Sequence, residues 1–307
     1  MKNIATLIVS TLLGAACAFT AGAADKKIVL IAGPASHGAG EHEYRAGCLL
    51  WQKCLASVPG IQVMVYSNGC PQDASAFTGA DAVVIFSDGG GGHPFLKGNG
   101  LQIIGDLMKK GVGLGCVHYA VEVPKEKAGP AFLDWIGGYF ETYWSVNPFW
   151  LADFKTLPNH PVTRGVKPFQ IRDEWYYHMR FPEGMKEVTP ILSATPLDST
   201  RGKPGVNSDH GGNPEVQKHA GEAEHVMWVF NRPDGGRGFG FTGGHSHNEW
   251  ADENFRKVVL NAIVWVSGAE VPAAGVASQV TAEDLAANLD PKGRRQPQTN
   301  PAPKASL

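Results

Sequence analysis

Charged side chains are scarce in this chain. Asp, Glu, Lys and Arg make up 18% of its 307 residues, and the formal net charge at pH 7 is −2. The sequence has no basic stripe and no polybasic amphipathic stretch, which argues against a nucleic-acid partner and against a charged membrane surface as partner. Neither the G-x-G-x-x-G nor the G-x-x-x-x-G-K-[ST] spacing follows the first predicted strand, so no nucleotide cofactor is expected.

Cysteine is scarce as well. The chain has five cysteines, too few over this length for a fold held together by disulfides. Four of them, Cys48, Cys54, Cys70 and Cys116, follow the N-terminal segment described next. Cys48 and Cys54 lie six residues apart on a predicted helix, so they do not share a face. Disulfides are open to an exported protein, but buried free thiols are the simpler interpretation.

Long apolar runs are absent except at the N terminus. Lys2 provides a basic start, residues 4–19 are mostly apolar, and small residues at 21–23 surround a plausible cleavage point. This pattern predicts a signal peptide at residues 1–24 and therefore an exported, periplasmic protein. A retained anchor is the alternative, but a transmembrane helix needs about 20 apolar residues, and no other segment could span a bilayer. A lipid anchor at Cys17 is not favoured, because the leucine expected three positions upstream is missing.

The rest of the chain predicts an α/β domain at residues 25–272. Near-continuous apolar runs alternate with segments of helical spacing, which is typical of a parallel sheet covered by helices on both faces. The fold class is therefore a doubly wound α/β sandwich. The predicted strands cover 28–32, 61–66, 80–86, 112–117, 188–193, 224–230 and 238–242, and the helices cover 43–57, 101–110 and 249–267. Residues 273–307 are rich in Ala, Pro, Gln and Lys, so a disordered tail is expected.

Five histidines follow predicted strands in glycine-flanked segments: His37, His42, His118, His245 and His247. In an open parallel sheet, ligands bind in the crevice outside the carboxyl ends of the strands. Imidazole is also the commonest metal ligand and titrates near neutral pH. The pattern therefore predicts one polar site with one divalent metal ion bound by His37, His42, His118 and His245. Of the pair His245 and His247, only one is expected to point into this site.

The loop after the first strand contains His37, Glu41, His42 and Glu43. These residue types suit metal ligation or proton transfer rather than the binding of an anion. The alternative is a solvated loop that leads into a helix, since glutamates favour a first helical turn.

Asp88 and Gly89 begin a second glycine-rich loop, after the third strand. Its four consecutive glycines permit close backbone approach and would offer amide groups to a sugar hydroxyl or an oxyanion. A loop that is simply flexible is the alternative.

The fourth strand ends in Gly115-Cys116-Val117-His118-Tyr119. A nucleophile elbow of the form G-x-C-x-G would place a reactive thiol at Cys116, but Leu114 and His118 stand where the glycines should be. If the turn lies two residues later, His118 occupies the elbow and acts as a base or a ligand. Tyr119 then lies beside the site.

The segment Asp173-Glu174-Trp175-Tyr176 places two carboxylates beside two aromatic rings. Aromatic rings stack on the apolar faces of sugars, and carboxylates bind sugar hydroxyls. The segment therefore predicts carbohydrate recognition. A structural turn with an ion pair between Arg172 and Glu174 is the alternative.

These segments together resemble the ThuA-like (trehalose-utilisation) family, which has the class I glutamine amidotransferase-like fold. The resemblance covers about residues 27–272. It rests on the segments 36–43, 115–118, 160–165, 171–177 and 236–245. It implies a flavodoxin-like α/β fold that has lost the amidotransferase thiol triad. It also implies a link to sugar catabolism, often alongside dehydrogenases that make 3-keto-glycosides.

The sequence thus predicts an exported enzyme that hydrolyses or eliminates a glycoside or 3-keto-glycoside. His118 and His37 would be catalytic with the metal, and Glu174 and Asp173 would orient hydroxyls or move a proton. The residues expected to bind the carbohydrate are Asp88, Gly89, Tyr119, Trp175, Tyr176 and His245. Two alternatives stay open: a non-catalytic periplasmic module that binds a carbohydrate or a partner, and a thiol amidotransferase or peptidase that uses Cys116.

Overall fold

The computed structural model describes residues 25–204 and 210–292, which form a seven-stranded sheet, a two-stranded ribbon and six α-helices. The strands are β1 (Lys26–Ala32), β2 (Ile61–Tyr66), β3 (Ala82–Phe86), β4 (Gly113–Val117), β5 (Phe149–Phe154), β6 (Phe169–Glu174), β7 (Val188–Ala194), β8 (Glu224–Asn231) and β9 (Arg237–Phe241). The helices are α1 (Tyr44–Leu55), α2 (Gly100–Met108), α3 (Lys125–Ile136), α4 (Pro214–Lys218), α5 (Glu253–Val266) and α6 (Ala282–Ala286).

The large sheet has the strand order β2-β1-β3-β4-β9-β8-β7. The first five strands are parallel, and β8 and β7 continue the sheet with antiparallel pairing. From β1 the chain passes to β2 on one side and later to β3 on the other, so the order reverses between β1 and β3. Crevices at such switch points bind ligands in this class of fold. The predicted doubly wound, mostly parallel sheet is confirmed.

Strand β1 shows how the sheet is covered on both faces. Ile28 and Leu30 pack with α1 and α5, whereas Val29 and Ile31 pack with α2 and α3. All four side chains are fully buried. Because successive side chains of a strand point to opposite faces, a strand covered on both faces requires a continuous apolar run.

Five elements have no counterpart in the sequence prediction: α3, α4, α6, β5 and β6. Helix α3 contains Pro130, which sequence patterns treat as a helix breaker. In β5 the buried residues Trp150, Ala152 and Phe154 alternate with more exposed ones, as in a strand with one solvent face. The two strands pair with each other as an antiparallel ribbon outside the main sheet.

The start of the predicted tail needs a correction. Residues 273–292 pack against the domain: Val276 is fully buried, and its amide donates a 2.8 Å hydrogen bond to Oδ1 of Asn261. Helix α6 lies in this segment and begins at Thr281 with a capping box. A few apolar and capping residues are enough to pack this segment against the domain, although its average composition is typical of a disordered chain. The predicted signal peptide and residues 293–307 lie outside the described residues.

Four cysteines lie in the part of the chain that the structure describes, and all four are buried free thiols, as interpreted from the sequence. Across residues 25–204 and 210–292, no helix combines the length and the apolar character needed to cross a membrane.

The short 3-10 helix His247–Ala251 precedes α5 and contains Glu249. Burial and the nearby carboxylates of Asp173 and Asp252 raise the pKa of Glu249 from 4.5 to about 7. Between these values the folded protein keeps a proton that the unfolded chain has released, so stability decreases as pH rises through this window. Because Glu249 is only half-buried, we expect a loss of about 1 kcal/mol rather than the ~3 kcal/mol of the full shift.

Replacement of Glu249 by Gln should remove this part of the pH dependence. Urea unfolding at pH 4.5 and pH 8 measures it. We expect the variant to be more stable than the wild type by about 1 kcal/mol at pH 8 and no more stable at pH 4.5. The same pH dependence in both proteins would contradict the prediction.

Candidate functional site

Four parallel strands end at the same edge of the large sheet, beside the point where the strand order reverses. The segments that follow β1, β3, β4 and β9 carry His42, Asp88, His118 and His245. The end of β6 brings Glu174 to the same place. The structure therefore joins residues more than 200 positions apart into one site.

His42, His118, His245 and Glu174 converge here, and we call them the histidine–glutamate cluster. Nε2 of His42 lies 3.0 Å from Nε2 of His118 and 3.0 Å from Nδ1 of His245. Oε2 of Glu174 lies 3.0 Å from Nδ1 of His245 and 3.5 Å from Nε2 of His118. One ligand atom from each residue lies within 4.8 Å of all the others. Since the three imidazoles are buried, these atoms face one another.

Hydrogen bonds behind the cluster determine which ring nitrogens carry protons. Nδ1 of His118 donates to the carbonyl of Thr242 at 2.8 Å, and Nδ1 of His42 lies 3.2 Å from the carboxylate of Asp88. Because a carbonyl only accepts, His118 keeps its proton on Nδ1 and presents a bare Nε2. Nδ1 of His42 also lies 2.5 Å from the Tyr44 hydroxyl, and the tautomer in which it donates to Asp88 presents a bare Nε2 as well. Two lone pairs 3.0 Å apart repel each other unless a cation lies between them. Histidine metal ligands are oriented by such hydrogen bonds.

The charges in the cluster follow from burial and from the carboxylates. Burial lowers the pKa of His42 from 6.5 to about 3, so its ring is neutral. Burial would raise the pKa of Glu174, but the neighbouring imidazoles of His118 and His245 lower it well below its usual value. Burial also disfavours the charged form of His245, yet Glu174 outweighs this and raises its pKa. Glu174 is thus the anion of the histidine–glutamate cluster.

Three histidines of this region have left-handed backbone conformations: φ is +60° at His37, +47° at His42 and +55° at His118. Such angles are uncommon for residues other than glycine. They persist only where the surrounding structure holds them, and they concentrate at functional sites. His118 lies in the turn directly after β4, which is the elbow position predicted for it.

Cys116 lies within β4 and is fully buried. Burial raises the pKa of its thiol well above the usual value. A thiol that cannot ionise or reach solvent is not a nucleophile, so the amidotransferase or peptidase alternative has no structural basis.

Asp88 organises the hydrogen bonds on one side of the cluster. Its Oδ1 accepts from the hydroxyls of Tyr44 at 2.6 Å and Ser36 at 2.7 Å, besides its contact with His42. Burial would raise the pKa of Asp88, but these hydrogen bonds lower it to about 2. Asp88 therefore orients a ring of the cluster, and its position at the exposed edge leaves it within reach of a ligand.

One of the four metal ligands predicted from the sequence, His37, is replaced by Glu174 in the structure. His37 lies at the exposed rim, where 40% of its side chain is accessible. Its ring centroid is 3.6 Å from that of His42, and its Nδ1 bonds to Ser36. Glu174 takes the fourth place in the main cluster instead. His37 belongs only to a second, looser group with His42 and Asp88.

Asp173 does not face the cluster. Its buried carboxylate accepts hydrogen bonds from the backbone amides of Gly244 at 2.5 Å, Glu174 at 2.9 Å and Ser246 at 3.4 Å. Asp173 thus holds the segment around His245 against the end of β6. The structure makes it a positioning residue rather than one that contacts substrate.

Trp175 is not available to a ligand, contrary to the sequence prediction. It is fully buried, and its ring packs against Phe154, Phe241 and Phe255. Its indole N–H donates to the carbonyl of Ile171. Trp175 is therefore a core residue.

Tyr176 reaches the cluster. Its hydroxyl lies 3.3 Å from Oε2 of Glu174 and 3.4 Å from Nε2 of His118. Tyr119 lies farther out, with its ring centroid 6.1 Å from that of His42.

Gly89 is required by close packing. A Cβ there would lie 2.0 Å from the carbonyl oxygen of Tyr119, so no other residue fits. The glycine-rich loop therefore packs directly on the turn after β4.

His247 is buried near Glu43 and Lys292 rather than in the cluster. Of the pair His245 and His247, only His245 therefore enters the site.

Phe149 was missed by sequence reasoning. It begins β5, is 44% exposed, and its ring centroid lies 4.9 Å from that of His245. It pairs in register with Glu174 across the ribbon, so the two side chains share a face. The sequence carries little signal for this strand, because its exposed residues Phe149 and Leu151 are apolar like the buried ones.

The chain was compared with known families and structures. The ThuA family, described as trehalose utilisation, matches residues 35–266. A structure described as ThuA-like, from Bacteroides uniformis, is similar with a TM-score of 0.56 and 18% identity, over 80% of this chain and 93% of that chain. Another from Parabacteroides merdae has a TM-score of 0.52 and 15% identity, over 84% and 94%. The search of curated proteins found no match. At these identities the two structures support the flavodoxin-like fold alone.

Proposed function

Because the chain belongs to the ThuA family, described as trehalose utilisation, we propose that it is an exported enzyme of sugar catabolism that hydrolyses or eliminates a glycoside or 3-keto-glycoside. The observation that carries the proposal is the histidine–glutamate cluster, whose ligand atoms lie within 4.8 Å of one another. Export rests on the signal-peptide pattern of residues 1–24.

The donor set of the cluster suits one divalent metal ion. Three imidazole nitrogens and one carboxylate oxygen are ligands that zinc and related transition metals accept. The carbonyl of Thr242 holds His118 in the ligating tautomer, and Asp88 is placed to accept from Nδ1 of His42 in the same tautomer. A metal bound there would polarise a carbonyl group or activate water.

Two side chains beside the cluster are placed to move protons. The Tyr176 hydroxyl is buried next to Glu174, and burial raises its pKa well above the usual value, so it stays protonated and donates. His37 is the imidazole outside the cluster, at the exposed rim. In an elimination, His37 would take the proton from the carbon beside the ketone, and Tyr176 would give one to the departing glycosidic oxygen.

Phe149 supplies the apolar surface that Trp175 does not. Its exposed ring lies against His245 and beside Glu174, so it is placed to contact a ligand bound at the cluster. A pyranose stacks its C–H face on such a ring while carboxylates bind its hydroxyls. Asp88 and Tyr119 lie on the His42 side of the cluster.

Alanine at Phe149 should weaken carbohydrate binding by about tenfold, which corresponds to ~1.4 kcal/mol of lost stacking. Leu151 is the matched control, because it lies two residues along the same outer face and is 56% exposed. Calorimetry with a panel of glycosides should show weak binding to Phe149→Ala, near-normal binding to Phe149→Tyr and no change in Leu151→Ala. Equal losses in both alanine variants would count against the stacking role.

The function itself is tested by metal analysis of the purified full-length chain and by turnover of glycosides and their 3-keto derivatives, monitored as sugar release. Stoichiometric metal and metal-dependent release are expected. Binding of an unmodified sugar that stays intact over hours, with no metal bound, would identify a carbohydrate-binding module instead.

A further inference from the structure

The C-terminal segment 288–292 reaches the loop that carries His42. Nζ of Lys292 donates to the carbonyl oxygens of Glu41 and His42, the latter at 3.1 Å, and lies 3.3 Å from Oε1 of Glu43. The side chain of Lys292 is only 7% exposed and that of Glu43 only 1%. Among residues 25–204 and 210–292, this buried ammonium group thus makes its polar contacts with residues 41–43.

The carboxylate of Glu43 joins the same loop to the C-terminal segment through hydrogen bonds. Its Oε1 accepts from the amide of Gly40 at 2.9 Å, and its Oε2 accepts from the amide of Asp290 at 2.8 Å. The guanidinium of Arg45 donates to the carbonyl of Asn288. Segment 288–292 and the His42 loop therefore form one hydrogen-bonded unit.

This unit holds a strained residue. His42 has φ of +47°, a conformation that costs an L-residue roughly 1–2 kcal/mol. Its amide donates to the carbonyl of His245 at 2.9 Å, and its carbonyl accepts from Lys292. The backbone of His42 is thus fixed on one side by another cluster residue and on the other by the C-terminal segment.

Stability alone does not account for a buried ion pair at this place. Removing two charges from water costs several kcal/mol, and a well-packed apolar pair is often as stable. Hydrogen bonds behind a metal ligand, in contrast, set its orientation and change metal affinity by about 10–100-fold. The Lys292 contacts act one step further back, on the backbone that carries the ligand's side chain.

We propose that Lys292 and Glu43 are positioning residues of the site: they fix the backbone at His42 and so set the distance between its Nε2 and that of His118. The inference rests on the proposed metal function. It makes the C-terminal segment, which the sequence pattern assigns to a disordered tail, part of the site's architecture.

Titration of the full-length chain with Co²⁺ tests the inference, because the visible absorption of bound Co²⁺ reports ligand geometry. Lys292→Met alone leaves the buried Glu43 carboxylate unpaired and should lower the melting temperature. The double variant Lys292→Met/Glu43→Gln removes both charges and should recover much of that loss. Its Co²⁺ dissociation constant should nevertheless stay at least tenfold above that of the wild type, with a changed spectrum.

Asp284→Asn is the control. Asp284 lies in the same C-terminal region, but its ion pair is with Lys53 on α1, away from the His42 loop. The Asp284→Asn variant should have the Co²⁺ dissociation constant and the Co²⁺ spectrum of the wild type.

The positioning role is overturned if the double variant binds Co²⁺ with the wild-type constant and spectrum, or if it does not fold, since the pair would then serve only the fold. Failure of the wild type to bind Co²⁺ would overturn the proposed metal function as well. The wild-type titration therefore distinguishes a failure of the proposed function from a failure of the positioning role alone.

Discussion

Replacement of His118 by Ala is expected to raise the dissociation constant for a divalent metal by more than 100-fold and to abolish turnover. His118 contributes a bare Nε2 at 3.0 Å from that of His42 and 3.5 Å from Glu174. The ring is buried and held by Thr242, so the substitution leaves an empty space where the ligand nitrogen was. Loss of a direct ligand should exceed the ~10–100-fold typical of residues behind the ligands.

His93 is the matched control for this experiment. It is another fully buried histidine on a neighbouring loop, and its ring nitrogens contact the carbonyl of Ala120 and the amide of Phe95. His93→Ala should lower the melting temperature but leave metal affinity unchanged. Isothermal titration and metal analysis of both variants decide the matter. Full metal retention in His118→Ala would show that the metal is not bound by the histidine–glutamate cluster.

Variants of Glu174 and Tyr176 should distinguish the residue that binds the metal from the residue that transfers a proton. Glu174→Gln keeps the shape but removes the only anion of the cluster, so metal affinity and turnover should both fall by at least tenfold. Tyr176→Phe keeps every ligand and removes only the hydroxyl next to Glu174 and His118. It should leave the metal dissociation constant within about threefold while kcat falls by roughly 100-fold, in the range for loss of a general acid.

The comparison requires kcat, KM and the metal dissociation constant for both variants. A general acid affects kcat, whereas a substrate-binding hydroxyl affects KM. An unchanged kcat in Tyr176→Phe would assign the proton to another donor. Unchanged metal affinity in Glu174→Gln would place the metal in the second group, with His37 and Asp88.

The position of the turn after β4 keeps the Cys116 thiol out of the crevice. Cys116 stays inside β4, and the turn begins two residues later at His118. The residue exposed to the crevice is therefore an imidazole, whose neutral form binds a metal or accepts a proton.

Some site residues could be identified from the sequence because strand ends are local features. His42, His118 and His245 each follow an apolar run, and parallel strands bring such ends to one edge. Trp175 was misassigned, because an aromatic side chain beside carboxylates looks the same in sequence whether it faces solvent or the core. Phe149 was missed for the complementary reason, since its ribbon was not recognised as a strand.

The sequence by itself determined the parallel sheet, its helical layers and the edge at which the histidines collect. These follow from hydrophobic periodicity, which acts over a few residues. Only the tertiary structure decided that Glu174 rather than His37 completes the cluster, and that Lys292 lies behind His42. Those outcomes depend on ring orientation and on hydrogen bonds between residues up to 251 positions apart. No local pattern encodes a distance of 3 Å between side chains so far apart in the chain.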